Sequence, residues 1–363
     1  MENKIINELI AGRELCLKEE NDFLNAVKDV SANTYFVPVE MRTLEFQGIG
    51  DESALTSETG FDCGFSVIRS GEYGDKTSYS CRPYAVKTLC DRLGISGSVL
   101  SKFDNEKLAR LLKSCAVEYS DGEQVQIAKI QDKCIAVLSG NYKVLPADTV
   151  FEEAVRAIRD LGGAYATGYV SLDLFYASYC LNNKELVNAY RDKFDEFTEA
   201  VPIVTIETSN TGLSSVSFTP KFKIKNLEII VGKPLRALHK GDSDIAIVKE
   251  NSKQIFAIFK AAIEGLDKLK KIQIEHPITC FKNVARRVLL PKKYSMMAAE
   301  NFENFVEDGE KITAYDLYLA LAEVMFYAES DDRPKTFITN LQEQVSRALY
   351  VDFGKYDIPT SEW

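Results

Sequence analysis

A chain of 363 residues with 45% hydrophobic side chains is long enough to bury a sizeable core, as two compact units or one large one. No run approaches the roughly 18 consecutive apolar residues of a membrane-crossing helix, and the opening MENKIINELIAGRELCLKEE is too charged for a secretory signal, so no membrane partner is expected and the setting is cytoplasmic, inside a host cell. The formal charge of −10 argues against binding phosphate, yet residues 201–299 carry 17 basic side chains against 8 acidic, between flanks of 22 against 32 (1–200) and 5 against 14 (300–363).

Helical periodicity runs over 4–28, with Ile5, Leu9, Cys16, Phe23 and Val27 on one face and Ile6, Ile10, Leu17 and Leu24 widening the stripe. Residues 34–48 alternate apolar and polar and end in glycine, as a strand does; 50–80 read as loops around a short strand at 65–68. Pro83 suits a first helical turn, which needs no backbone donor, and Tyr84, Val86, Leu89, Cys90 and Leu93 follow at helical spacing to Gly94. Short helices are expected over 98–103 and 106–117. A hairpin is expected from 124–131 and 134–139 around an Asp132-Lys133 turn.

Thr149 and Glu152 form a capping box, and Phe151, Ala154, Val155, Ile158 and Leu161 give the buried stripe of a helix stopped by Gly162-Gly163. Residues 164–181 alternate, as a long strand or a hairpin limb, with Val170, Leu172, Leu174 and Tyr176 on one face. Strands over 202–208 and 214–225 are joined through Asn210-Thr211-Gly212. Beyond Val248 the chain turns helical: Ile255, Phe259, Ala262, Leu266 and Leu269 line one face, and Lys268, Lys270 and Lys271 complement the helix dipole at its end. Helices over 313–329 and 336–350 close the chain. The fold class is α+β, an antiparallel or mixed sheet with packed helices, divided into a helix-rich region with short strands (1–120), an α+β core (121–275) and a helical C-terminal region (276–363).

The eight cysteines are scattered with no C-x-x-C pair, and read as reduced and mostly buried. His239 and His276 lack a neighbouring nucleophile, the acidic pairs lack the spacing of a two-metal site, and Gly60–Gly64 and Gly94–Gly97 match neither phosphate-binding fingerprint. No catalytic residue, metal or cofactor is assigned. Residues 86–103 have the apolar spacing of a helix-turn-helix, but its second element offers only Lys102 to a groove, which favours a packed corner of two helices.

The most informative stretch is Lys221-Phe222-Lys223-Ile224-Lys225. Strand alternation would bury Phe222 and Ile224 and aim Lys221, Lys223 and Lys225 along the opposite face, roughly 6.6 Å apart, comparable with the phosphates of an extended single strand. Lys233, Arg236, Lys240, Arg286, Arg287, Lys292 and Lys293 would widen that patch, with Tyr142, Tyr169 and Tyr176 as candidate stacking platforms. The competing reading is that edge-strand lysines only discourage aggregation. The terminal stretch from Tyr356 to Trp363, acidic with apolar residues at its end, is like partner-recruiting tails, though an ordinary frayed end has the same composition.

Three stretches resemble a phage and plasmid family known as domain of unknown function 932: Tyr84–Phe103 with its Leu-Cys-Asp-Arg-Leu-Gly-Ile-Ser core, Ile127–Ile158 with Ala136-Val137-Leu138-Ser139-Gly140-Asn141-Tyr142, and Glu207–Phe218 with Thr208-Ser209-Asn210-Thr211-Gly212-Leu213-Ser214-Ser215-Val216. The resemblance covers about residues 80–275. Where the family often has an Asn-His-Asp-Gly-like run, this chain has Ser-Asn-Thr-Gly, and where the family tends to continue with a cysteine-bearing strand, this chain has Phe222–Ile230. It implies a mobile-element setting with recombination or anti-defence neighbours, and no reaction. The expected function is non-catalytic binding of single-stranded nucleic acid, in annealing or protection, with a homo-oligomer as one form. The alternative is an inhibitor or scaffold that binds host or phage proteins through its acidic surfaces.

Overall fold

A computed structural model describes residues 4–71, 75–194, 200–224, 227–306, 311–331 and 333–360. The leading periodicity is interrupted near Gly12, which adopts φ +79°, so α1 (Lys4–Ile10), β1 (Leu15–Leu17) and α2 (Glu20–Asn33) replace a single helix over 4–28. The apolar stripe persists because both helices bury against one core, through Ile6, Leu9, Phe23 and Val27. Residues 34–48 likewise divide, into β2 (Thr34–Glu40) and β3 (Glu45–Gly48), with a 3-10 turn at Met41–Thr43 between them. β4 (Phe65–Ser70) was legible, whereas β5 (Lys76–Cys81), the polar stretch KTSYSC, carries no apolar alternation that would reveal it.

Pro83 opens α3 (Pro83–Arg92) at a position where its missing donor leaves no gap. The 98–103 helix is instead a 3-10 turn at Leu100–Lys102, so no second helix stands within the helix-turn-helix-like stretch over 86–103. Asp104 then caps α4 (Asn105–Ala116), accepting from the Lys107 backbone at 2.8 Å. β6 (Gln124–Ile130) and β7 (Lys133–Ser139) form the expected hairpin, turning at Gln131-Asp132 with Gln131 at φ +54°. α5 (Ala147–Asp160) starts two residues before the anticipated capping box. Pro146 is its N-cap residue and no side chain caps it, so Thr149 lies inside the first turn.

β8 (Gly163–Val170) and β9 (Phe175–Leu181) resolve the long alternating run into a hairpin, which puts Leu172 and Leu174 in the turn. There follow α6 (Lys184–Arg191), β10 (Ala200–Thr208), β11 (Val216–Ile224), β12 (Leu227–Ile230) and β13 (Leu235–Ala237). Then come α7 (Ile245–Lys253), α8 (Ile255–Lys270), α9 (Pro277–Arg287), α10 (Lys292–Phe305), α11 (Ala314–Ala322), α12 (Val324–Ser330) and α13 (Lys335–Arg347). The 313–329 helix is thus broken at Glu323, and a reciprocal capping box of Thr313 and Asp316 starts its first half. No described helix is long and apolar enough to cross a membrane.

Two sheets organise this α+β fold. The first runs β2-β6-β7-β5-β4-β3, antiparallel except that β5 pairs β7 in parallel at Cys81 and Cys134. The second runs β1-β8-β9-β10-β11-β12, antiparallel throughout, with β13 also on β11. Directly paired residues share a face, so the register divides the second sheet cleanly. One face holds Phe175, Tyr179, Val204, Ile206, Phe218 and Phe222, buried among α2, α5, α6, α7 and α8. The other holds Tyr176, Ser178, Thr205, Glu207, Ser217, Thr219 and Lys221, all buried although polar.

A smaller core fills the first sheet against α3 and α4, and one buried side chain organises its loops. Asn105 Oδ1 accepts from the Ala54 backbone at 2.7 Å, while its Nδ2 donates to the carbonyls of Cys63 at 2.7 Å and Ile49 at 3.0 Å. Gly48 and Gly64 permit the approach, since a Cβ at Gly48 would come within 2.0 Å of the Asn105 carbonyl oxygen and one at Gly64 within 2.3 Å of the Ile49 oxygen. Asn105→Ala removes three bonds and orphans buried backbone groups, so urea unfolding should show a loss of about 3 kcal/mol, and Asn105→Asp should not restore it, because its carboxylate would face the Cys63 and Ile49 carbonyls.

Candidate nucleic-acid interface

Alternation correctly buries Phe222, whose ring meets Tyr190 at 4.8 Å and Phe259 at 5.4 Å between centroids. It misplaces Lys221. That side chain is 0% exposed, because α11 and α13 cover the polar face of the second sheet around β12, with the Tyr318 hydroxyl donating to the Ile230 carbonyl. Lys221 Nζ donates to Gln342 Oε1 at 2.9 Å, stands 3.5 Å from Glu228 Oε2 and lies 5.7 Å from the Tyr176 ring centroid. An ammonium so deeply buried needs such partners, because desolvation alone costs several kcal/mol. Lys221 is therefore an interior anchor and no part of an exposed row. Lys223 is exposed on the same face, and Lys225 lies outside the described residues.

Lys233 and Arg236 lie in a different setting. They line an open groove of about 820 Å³ between residues 231–238, α8 and Leu349-Tyr350, where Tyr350 is 67% exposed. The α8 wall combines the small residues Ala261, Ala262 and Gly265 with Ile258 and Leu266. A Cβ on Gly265 would meet nothing within 4 Å, so packing does not demand glycine there, although glycine inside a helix costs about 1 kcal/mol relative to alanine. Arg236 Nη2 bonds Glu343 Oε2 at 2.9 Å. Burial pushes the Glu343 carboxyl up, but its bonds to Arg236 and Arg347 outweigh that and hold it below its ordinary value.

Arg236 also lines a second, polar cavity of about 130 Å³, with Glu207, Ser214, Ser215, Ser217 and Thr339 around it. Glu207 accepts from the Thr339 hydroxyl at 2.9 Å and the Ser217 hydroxyl at 3.5 Å. Lys240 is exposed after β13. Arg286 and Arg287 are exposed in the last turn of α9, next to Lys292 and Lys293 in the first turn of α10, across a turn where Leu289 takes φ +64°. Lys293 is held by Asp331, and that bond, followed by one from Tyr294, keeps the Asp331 carboxyl below its usual value. Of the nine cations among the described residues, Lys221 is buried in the sheet, Lys233 and Arg236 line the groove, Lys223 and Lys240 are exposed outside it, and Arg286, Arg287, Lys292 and Lys293 gather at the α9–α10 turn.

The stacking candidates are also placed elsewhere than expected. Tyr169 and Tyr176 are buried at paired positions of β8 and β9. Tyr142 is half-buried between Phe36, at 6.1 Å, and His239, whose ring is nearly parallel at 4.9 Å. The Tyr142 hydroxyl donates to the Ser209 carbonyl at 3.2 Å and so holds the loop over 209–215. Within that loop Thr211 donates to Asp173 Oδ1 at 3.3 Å; Asp173 in turn receives a two-pronged ion pair from Arg82, and Asn210 reaches Thr34 Oγ1 at 3.4 Å. These residues tie the two sheets together. Tyr350 was missed as a platform because it follows a helix whose stripe, Ile338, Leu341, Val345 and Ala348, points elsewhere.

The chain end is docked as far as Thr360. Asp357 accepts from the backbones of Glu275 and His276 at 2.8 and 2.6 Å, and Asn283 donates to the carbonyls of Tyr356 and Thr360. The residues after Thr360, including Trp363, lie outside the described residues. Cysteine burial is mixed: Cys63, Cys81, Cys90, Cys134 and Cys280 are buried, Cys115 and Cys180 partly so, Cys16 exposed, and all eight are free thiols. Among the described residues no group of three or more His, Cys, Asp and Glu side chains is arranged to hold a metal ion. No family model matches the chain, and no curated protein or solved structure matches it significantly.

Two measurements check this placement. Lys221→Met should lower unfolding stability by about 2–3 kcal/mol, chiefly by leaving the buried Gln342 amide oxygen without its donor, while leaving surface binding unchanged. Burial pushes the His239 imidazole below its usual pKa, so the folded protein resists its protonation and stability is lost as pH falls from about 6.5. His239→Phe keeps the stack on Tyr142 and should flatten that part of the melting-temperature profile between pH 7.5 and 5.

Proposed function

We propose that this chain binds single-stranded nucleic acid along the groove between residues 231–238 and α8. The observation that carries the reading is that Lys233, Arg236 and the exposed ring of Tyr350 line one open groove. Non-specific recognition of single strands needs cations for the backbone and an aromatic face for a base, and this groove offers both. Leu238 and the apolar α8 wall supply surface against which a base can lie. Arg236 reaches the groove while paired to Glu343, so a phosphate would compete with that carboxylate for its guanidinium.

Lys223 on β11 and Lys240 beyond β13 are also exposed, outside the groove lining. The resemblance of residues 80–275 to a phage and plasmid family is in keeping with a role in strand annealing or protection. Because few cations line the groove, the salt dependence should be shallow. For two to three phosphates neutralised, log K falls with a slope of about −1.4 to −2.1 against log salt.

Fluorescence anisotropy with a labelled oligo-dT strand gives the test. Lys233→Glu should weaken binding and reduce the salt slope, and Tyr350→Ala should weaken it by about tenfold, the value of one lost stacking contact. Lys107→Ala, on α4 of the other sheet's core, should leave binding unchanged. Salt-insensitive binding, or equal losses for all three variants, rejects the reading.

A further inference from the structure

A second surface lies away from the groove, on the antiparallel pair of α10 and α12. The two helices are registered by Tyr294, whose hydroxyl donates to Asp331 Oδ2 at 3.1 Å, and by Asn301, whose Nδ2 donates to Glu323 Oε2 at 2.7 Å. Between these bonds the pair presents apolar side chains to solvent: Phe326 is 60% exposed, Met296 42% and Met297 37%. The exposure is not incidental to a weak core, since Ala298, Ala299, Val324 and Ala328 of the same helices are fully buried or nearly so.

Carboxylates outnumber cations around this face, where Lys292 and Lys293 also lie at the start of α10, the latter held by Asp331. Glu300 follows Met296 and Met297 by four and three residues and therefore shares their side of α10, and Glu303 is exposed one turn further on. Glu323 and Glu329 flank Phe326 on α12. The two helices act as one field. Burial raises the pKa of the Tyr327 hydroxyl, and the charges of Glu323 and, from across the pair, Glu300 raise it further.

We propose that the α10–α12 face docks a basic amphipathic helix of a partner protein. Unbranched methionines and a phenylalanine accept apolar anchors of varied shape, and the surrounding carboxylates select lysine and arginine on the flanks of the incoming helix. The charge of the rim decides the partner's sign: an acidic or neutral amphipathic helix finds the same apolar contact but loses the ion pairs. The surface is independent of the groove and needs no nucleic acid.

The test uses the full chain and two labelled helical peptides with the same leucine face, one lysine-rich and one glutamate-rich, titrated by anisotropy. The lysine-rich peptide should bind at least tenfold more tightly. Phe326→Ser and Glu300→Lys, both at exposed positions, should each weaken it by about fivefold or more without changing the melting temperature or oligo-dT binding. Equal affinity for both peptides, or binding that neither substitution alters, overturns the proposal. Sedimentation velocity supplies the remaining arm: a dimer that Phe326→Ser dissociates would make the face a contact between copies of this chain and would equally overturn it.

Discussion

The burial of Lys221 against Gln342 is the interaction around which the second half of this structure is organised. A sheet with one apolar and one polar face would ordinarily leave the polar face to water. Here the C-terminal helices close over part of it, and the charged and hydroxyl side chains beneath must then find partners inside the protein. Lys221 meets Gln342 and Glu228, Glu207 meets Thr339 and Ser217, and Arg236 meets Glu343 at the margin. Three of those partners, Thr339, Gln342 and Glu343, come from α13, so the helix is located by polar contacts as well as by its apolar stripe.

That arrangement has consequences for the surface. A helix drawn onto the sheet by buried charge leaves its own C-terminal end, Leu349-Tyr350, standing beside α8, and the space between them is the groove that Lys233 and Arg236 line. The same helices carry the acidic excess of residues 300–363, part of which is displayed on α10 and α12 around exposed methionines and Phe326. Charge segregation along the chain is not kept in space: Arg236 on β13 pairs with Glu343 of α13 and Lys293 with Asp331, while Lys233, before β13, lines the groove.

The two sheets are joined by a compact polar junction. Arg82 at the start of α3, Asp173 in the β8–β9 turn and Thr211 in the β10–β11 loop meet there, and Tyr142 closes the loop from the first sheet's side. The Ser-Asn-Thr-Gly segment has Ser209, Asn210 and Thr211 buried and bonded within this junction. Its position explains why a polar loop can be buried: each hydroxyl or amide is matched by a nearby group.

Much of the local structure was legible in the residues. Pro83 marked a helix start, the 124–139 hairpin and the α8 stripe of Ile255, Phe259, Ala262, Leu266 and Leu269 were readable from their periods, and the α+β class followed. β5 was not, because KTSYSC buries only Tyr79 and Cys81 and gives no alternating signal. The broken leading helix was missed because periodicity persists through a break when both pieces pack on the same core. By itself, the sequence determined the element types, the uneven charge and the apolar faces, since these depend on neighbours a few residues apart. Only the tertiary structure decided which polar face is covered, and therefore that Lys221 is an anchor while Lys233 lines a groove, because the helix that covers Lys221 lies more than a hundred residues further along the chain.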